Sequence, residues 1–266
     1  VGALGGALLR VFVLTAVLAP FLPLQSPYEK FYNRRFLAPS SAHWMGTDEF
    51  GRDVFSRIIY GARVSLYVGL MTVIIAGVLG GIAGVTSGYI RGKLDLFVQR
   101  VADVVMGFPT LVLALVLVAA LGSSVNNVVL AIAIVFVPRV QRIARSAALT
   151  TGENAYVEAA YALGASRWRI VFRHVMPSCL PPILVLCTGY LGTAIIVEAS
   201  LSFLGLGVPP PDPSWGRMLQ GAARIYAEKA PWMVIFPGLA ITLVVFGFNL
   251  FGDAVRDLLD PKMRNR

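Results

Sequence analysis

The chain has 266 residues, 57% of them hydrophobic and 14% charged, with a mean hydropathy of +0.73. A soluble domain carries about 25% charged residues, so this composition points into a membrane and excludes a disordered chain, a disulfide-rich secreted fold and a coiled coil. The net charge of +9 comes from basic residues set between apolar runs rather than in one dense tract, which suits a bilayer surface better than nucleic acid.

A bilayer span needs about 20 mostly apolar residues in a helix, and stretches free of Asp, Glu, Lys, Arg and His give the candidates. The first is 11–28, between Arg10 and Glu29. Arg10 and the small residues near it would also suit a signal peptide, but five further crossings favour a retained helix. Because the chain begins at Val1, a cytoplasmic tail is expected to precede it. The second crossing, 64–90, carries Gly77, Gly80, Gly81, Gly84 and Gly88. Glycines at four-residue spacing let another helix approach closely; that helix belongs either to this chain or to a second membrane subunit.

The charge-free run 104–138 is too long for one crossing, and turn formers at 122–127 divide it. The third and fourth helices are therefore expected at about 97–121 and 126–145, with Asp103 paired locally to Arg100. Residues 175–197 and 230–252 supply the fifth and sixth. The runs are continuous and do not alternate with period two, which argues against a barrel. The expected fold is an all-α membrane protein with six transmembrane helices. Cys179 and Cys187, both in the fifth run, would lie about 12 Å apart along a helix axis, too far to bridge, and read as packing residues.

Six crossings put both termini on one side. With that side cytoplasmic, 14 of the 23 basic residues lie inside, a positive-inside bias. The sequence then divides into a transmembrane helix with a long external segment (1–62), a membrane-spanning core (63–255) and a cytoplasmic tail (256–266). The longest inside loop, about 146–180, holds two short helical patterns. Asn154 is placed to cap one that runs to Leu163, and Gly164 to end it in the left-handed conformation. Ser166 is placed to cap another, with Trp168, Val171, Phe172 and Val175 at i, i+3, i+4 and i+7. Pro177, Pro181 and Pro182 are expected to close it before the fifth crossing. Such a pair either lies on anionic headgroups or docks into a groove on a soluble protein.

This loop resembles the signature loop of membrane subunits in binding-protein-dependent ABC importers: Glu158-Ala159-Ala160, Gly164 and Pro177 stand in its register. His174 and Met176 depart from the usual Ile and Leu. The segments 46–63 and 198–216 and, more weakly, 249–261 resemble stretches of dipeptide, oligopeptide and nickel permeases, the C-type dipeptide/oligopeptide permease above all. The resemblance implies a type I ABC importer permease fold with a cytoplasmic coupling helix pair. It also implies the partners: a second homologous permease, two ABC ATPase subunits, and a soluble or lipid-anchored substrate-binding protein. Glu158, Ala159, Ala160, Gly164, Arg167, Trp168 and Pro177 would seat against an ATPase. A local salt bridge or cap is the alternative role for Glu158.

The implied location is the cytoplasmic (inner) membrane, and the implied cargo is di- or oligopeptides, with nickel, glutathione or another small solute as alternatives. ATP and magnesium would be bound by the ATPase partners and no cofactor by this chain. Its nearest approach to a phosphate loop, 88–94, is one residue short between the glycines and has Leu94 where a hydroxyl must hold magnesium. No Cys/His cluster has zinc spacing, so no metal and no catalytic residue are expected. An ionisable residue on a membrane helix marks a cavity or a partner, which makes Glu198, with Ser200 and Ser202 beside it, candidates for the solute path or gate. The alternative is that Glu198 packs against a polar group near the outer surface. Asp48, Arg52, Asp53 and Trp215, in the external segments 25–63 and 205–230, are candidates for contact with the binding protein, a lid being the other reading of the second segment. An ion-coupled secondary transporter, a reading from another class, would require buried charge in the central spans; these are nearly free of it.

Overall fold

A computed structural model describes residues 2–259. The cytoplasmic-tail expectation for 260–266, and the end of the weaker match at Asp260-Pro261, lie outside the described residues. The helices in chain order are α1 (Gly2–Leu18), α2 (Val54–Ile90), α3 (Gly92–Met106), α4 (Thr110–Leu121), α5 (Val125–Gly152), α6 (Ala155–Ala162), α7 (Arg167–Ile170), α8 (Met176–Phe203), α9 (Trp215–Gly221) and α10 (Trp232–Leu259). Five helical segments among the described residues are long and apolar enough to cross a membrane, or six if the bent pair α3 and α4 counts as one span. Among the described residues no strand forms beyond one isolated bridge between Thr47 and Asp53.

The second crossing begins ten residues before the charge-free stretch. Asp53 caps α2, its Oδ2 accepting from the Ser56 backbone N–H at 2.8 Å, so the helix starts at a carboxylate cap and carries Arg57 and Arg63 in its first turns. With 37 residues it is about 55 Å long, well beyond a hydrocarbon core of about 30 Å. At its other end a tight turn through Arg91 (φ +60°) and Gly92 (φ +67°) leads to α3.

The third crossing differs from the single helix expected at 97–121. It is broken at 107–109 and bent by 94°. Pro109 has no N–H to donate and pushes Phe108 out of the helical region. The expected Asp103–Arg100 pair does not form: Asp103 instead accepts from Arg142 of α5 at 2.5 Å.

The prolines of the fifth crossing do not end its helix. α7, a π-helical turn at Val171–Val175 and α8 run on as one 37-residue rod, Arg167–Phe203. Pro177 removes a backbone donor, and the turn before it widens so that the Met176 N–H bonds the Val171 carbonyl five residues back.

Two apolar cores hold the bundle. The larger joins α2, α4, α5 and α8 through Val68, Val85, Val118, Ile132, Phe136 and Leu201. The smaller joins α1, the first turns of α2, α9 and α10 around Trp215 and Val244. The glycine stripe of α2 packs inside this chain. A Cβ at Gly80 or Gly88 would meet the Val137 or Arg145 carbonyl of α5 at 2.7 and 2.8 Å, and Gly77 and Gly81 face Cys187 and Ile183 of α8. Small residues thus let three helices approach on two sides.

Candidate functional site

At one end of the bundle the signature segment folds as a helix, a left-handed turn and a second helix. α6 ends in two reverse-turn bonds, Gly164 N–H to the Tyr161 carbonyl at 2.9 Å and Ala165 N–H to the Ala160 carbonyl at 3.1 Å. This pair is the Schellman arrangement, which needs a positive φ at the residue after the cap; Gly164 has φ +82°. Ser166 then caps α7, its Oγ accepting from the Arg169 N–H. Asn154 opens α6 in extended backbone but without a side-chain capping bond.

The turn is anchored from beneath and bare above. Val157, Ile170, Val171 and Val175 are buried in the larger core, and the Tyr156 hydroxyl ties α6 to Ser178 at 3.1 Å. Leu163 is 89% exposed. Trp168 and Phe172 stack with their ring centroids 6.1 Å apart, and both are exposed, so the expected single apolar stripe divides into a buried valine pair and an exposed aromatic pair. Glu158, Ala159, Gly164, Arg167 and Pro177 are exposed and Ala160 is half-buried. Glu158 and Arg167 enter none of the ion pairs among the described residues, and both line a cleft of about 490 Å3 with Tyr89, Ile90 and Gly152. The local salt bridge that was the alternative role for Glu158 does not form among the described residues.

A segment matching the family described as "binding-protein-dependent transport system inner membrane component" covers residues 56–265. The chain belongs to this family. A dipeptide transport system permease protein of Alkalihalophilus pseudofirmus is 45% identical over 98% of this chain and 86% of its own length. A probable D,D-dipeptide transport system permease protein of Escherichia coli K12 is 44% identical over 95% of this chain and 84% of its own. A glutathione transport system permease protein of Pectobacterium atrosepticum is 45% identical over 88% and 77%. The fold is also that of a solved methionine ABC transporter in an inward-facing conformation, with a TM-score of 0.62 at 18% identity over 77% of this chain and 97% of that one. This protein is thus a multi-pass permease with the type I ABC importer fold.

The opposite end of the permease is formed by 25–53 and 205–231, which hold the four residues named for the external segments. Asp48, Asp53 and Trp215 are buried within this chain, and Asp48 also lines the external cavity that Arg52 borders. Asp48 accepts from the Phe50 and Arg52 backbone N–H groups at 2.8 and 2.9 Å and pairs with Arg52 Nε at 2.7 Å. Asp53, besides capping α2, lies 3.0 Å from His43 Nδ1. Trp215 donates to the Ile58 carbonyl at 3.0 Å and meets Phe12 edge-on. These residues shape the external layer; Arg52, half-buried, lines a cavity of about 780 Å3 with Lys30, Arg217 and Asp212.

Glu198 is likewise fully buried and opens to none of the cavities described. It accepts from Ser202 at 2.7 Å and from Ser65 at 3.3 Å, so its neighbours are polar groups at this end of the bundle. Ser200, half-buried, returns its hydroxyl to the Ile196 carbonyl. Sequence reasoning missed Ser65, Ser214 and Tyr156 because their partners lie far along the chain. The exposed pair Trp168 and Phe172 was visible as apolar residues, but not which way they would face.

Proposed function

We propose that this chain is the permease subunit of an ATP-driven importer that moves di- or oligopeptides into the cell. The observation that carries the proposal is the rigid, anchored turn of α6 and α7. It presents Leu163, Trp168 and Phe172 bare, and Glu158 and Arg167 without ion partners among the described residues. An exposed apolar knob ringed by uncompensated charge is the form a helix-in-groove contact requires. In this reading the turn, with Glu158, Ala159, Ala160, Gly164, Arg167, Trp168 and Pro177, seats in a cleft of one of two ATPase subunits, which bind ATP and magnesium. A second, homologous permease completes the passage, and a soluble or lipid-anchored binding protein delivers peptide to the opposite end. Both termini and the α6–α7 turn then lie in the cytoplasm.

Closure of the ATPases would carry the turn as a lever, because a segment anchored by four buried apolar residues moves with its helices rather than flexing. Peptide cargo is supported by the dipeptide permeases among the relatives. The glutathione permease supports a second small peptide-like cargo within the same design.

The test is to purify the tagged chain in mild detergent and identify co-eluting proteins by mass spectrometry, with Gly164→Pro and Glu158→Arg in parallel. Two ATPases and a second permease are expected with the wild type and reduced with both variants. A lone chain, or a homodimer indifferent to the substitutions, would overturn the reading. Peptide cargo is tested by ATP hydrolysis of the assembly with a peptide-loaded binding protein.

A further inference from the structure

Glu198 sits in a cage contributed by three helices. Ser65 of α2 and Ser202 of α8 donate to its two oxygens. The Ser202 oxygen itself accepts from the Val208 backbone N–H at 3.1 Å and from the hydroxyl of Ser214 at 3.3 Å, and Ser214 is the N-cap of α9. All four side chains of this chain of bonds are buried, and Glu198 enters none of the ion pairs among the described residues. A carboxyl enclosed in a membrane helix among hydroxyls alone is costly relative to an apolar residue of the same size, so packing does not account for it. What the carboxyl supplies is two acceptors, one for Ser65 of α2 and one that fixes Ser202 on its own helix; the Ser202 oxygen in turn accepts from Ser214 at the start of α9.

The contact between α9 and α8 is backbone-close at the same level. A Cβ on Gly216 would meet the Ala199 Cα at 2.5 Å and its carbonyl carbon at 2.8 Å. Trp215, the residue before Gly216 and the first of α9, donates to the Ile58 carbonyl of α2. The fifth crossing is unbroken from Arg167 to Phe203, so the residues that grip α9 and those of α7, which forms the second arm of the α6–α7 turn, belong to one rod about 55 Å long.

We infer that Glu198 is a positioning residue that fastens the external helix α9 to the fifth crossing, so that a displacement of the α6–α7 turn at one end and of α9 at the other is a single movement. The inference rests on the reading above, in which the turn meets an ATPase and the α9 end meets the binding protein. The carboxyl acts through the two serines and touches no solute. It transmits arrival of a loaded binding protein to the ATPases.

The experiment uses the complete assembly in lipid nanodiscs, with wild type, Glu198→Gln and Glu198→Ala. Hydrogen exchange of the backbone amides of 206–221 reads the fastening. The ratio of ATP hydrolysis with peptide-loaded binding protein to that without it reads the transmission. Glu198→Ala is expected to raise exchange in 206–221 at least tenfold and to bring the stimulation ratio close to one. Glu198→Gln, which keeps an acceptor for one serine and offers a donor to the other, is expected to restore both readouts.

Unchanged exchange in Glu198→Ala would overturn the fastening. Raised exchange with undiminished stimulation would overturn the transmission, and failure of Gln to rescue would show that hydrogen bonding is not what the carboxyl provides. Should the wild type show no stimulation by any peptide-loaded binding protein, the importer reading fails on its own account, while exchange still decides the fastening.

Discussion

Asp95 and Arg145 join α3 to α5 through a two-pronged ion pair. Arg145 Nε meets Asp95 Oδ1 at 2.6 Å and NH2 meets Oδ2 at 2.7 Å, between residues 50 apart in sequence. A second pair, Asp103 with Arg142, lies along the same joint but is far more open to solvent, with its side chains 48% and 46% exposed against 14% and 31% for Asp95 and Arg145. The joint matters because α3 leads into the 94° bend and has only one residue, Ala102, buried along its length. Charge rather than apolar packing holds it.

The forked pair is therefore the stronger of the two. Arg145→Ala is expected to lower stability by about 1–2 kcal/mol, and Arg142→Ala by about 0.5 kcal/mol or less. Arg145→Lys keeps the charge but loses the fork and should fall between wild type and Ala. Thermal unfolding of the detergent-solubilised chain, with a double-mutant cycle on residues 95 and 145, measures this. A coupling energy near zero for the cycle would refute the assignment.

The glycine stripe makes a sharper prediction, because neighbouring glycines face different surroundings. A Cβ on Gly84 would overlap the Gln141 carbonyl and come within 2.6 Å of the Ala144 Cβ, whereas one on Gly81 would meet only the Ile183 Cδ1 at 3.5 Å. Gly84→Ala should destabilise by about 1–3 kcal/mol through separation of α2 from α5. Gly81→Ala should be neutral or stabilising by up to about 0.5–1 kcal/mol, since Ala favours the helix. Equal effects of the two substitutions on the unfolding temperature would contradict this packing.

Much of this was legible in the sequence. The stripe at 77–88, the division at 122–127, the glycine stop at 164 and the Ser166 cap all follow from residues acting on their immediate neighbours. The signature loop could be found because its information is local. The misses share a different cause. Following charge-free runs put the start of α2 at 64 and hid the Asp53 cap, because Arg57 and Arg63 sit within its first turns. It also passed over Gly107-Phe108-Pro109, where a proline rather than a charge breaks the helix. Asp103 finds its partner 39 residues away, and Asp48, Asp53 and Trp215 are buried by a layer assembled from distant segments. The prolines of the fifth crossing were read as stops because a widened turn, which lets a helix pass Pro177, leaves no mark in the sequence.

At Gly164 the question is conformation alone. The left-handed backbone is set at φ +82°, and nothing lies within 4 Å of where a Cβ would stand. Gly164→Ala should therefore loosen the turn by about 1–2 kcal/mol, and Gly164→Asn by less, since Asn tolerates this region. Limited trypsin digestion at Arg167 and Arg169 reads the loosening, with cleavage fastest in Ala, intermediate in Asn and slowest in wild type. Identical digestion of Ala and Asn would mean that the left-handed conformation is not what holds the turn.

Glu49 gives the external layer a pH dependence. Burial, and next the neighbouring Asp48 carboxylate, hold its carboxyl above the ordinary 4.5, with Arg52 and Arg57 opposing. The folded chain thus binds this proton more tightly than the unfolded chain does. Its contribution is most favourable below the ordinary value, declines as pH rises through the raised one, and is flat above it. Glu49→Gln removes the decline. The variant should match wild type in unfolding temperature near about pH 3, where both side chains are neutral, and exceed it at pH 8. The opposite order at pH 8 would mean that the contact with Arg52 at 3.8 Å outweighs burial and the Asp48 charge together.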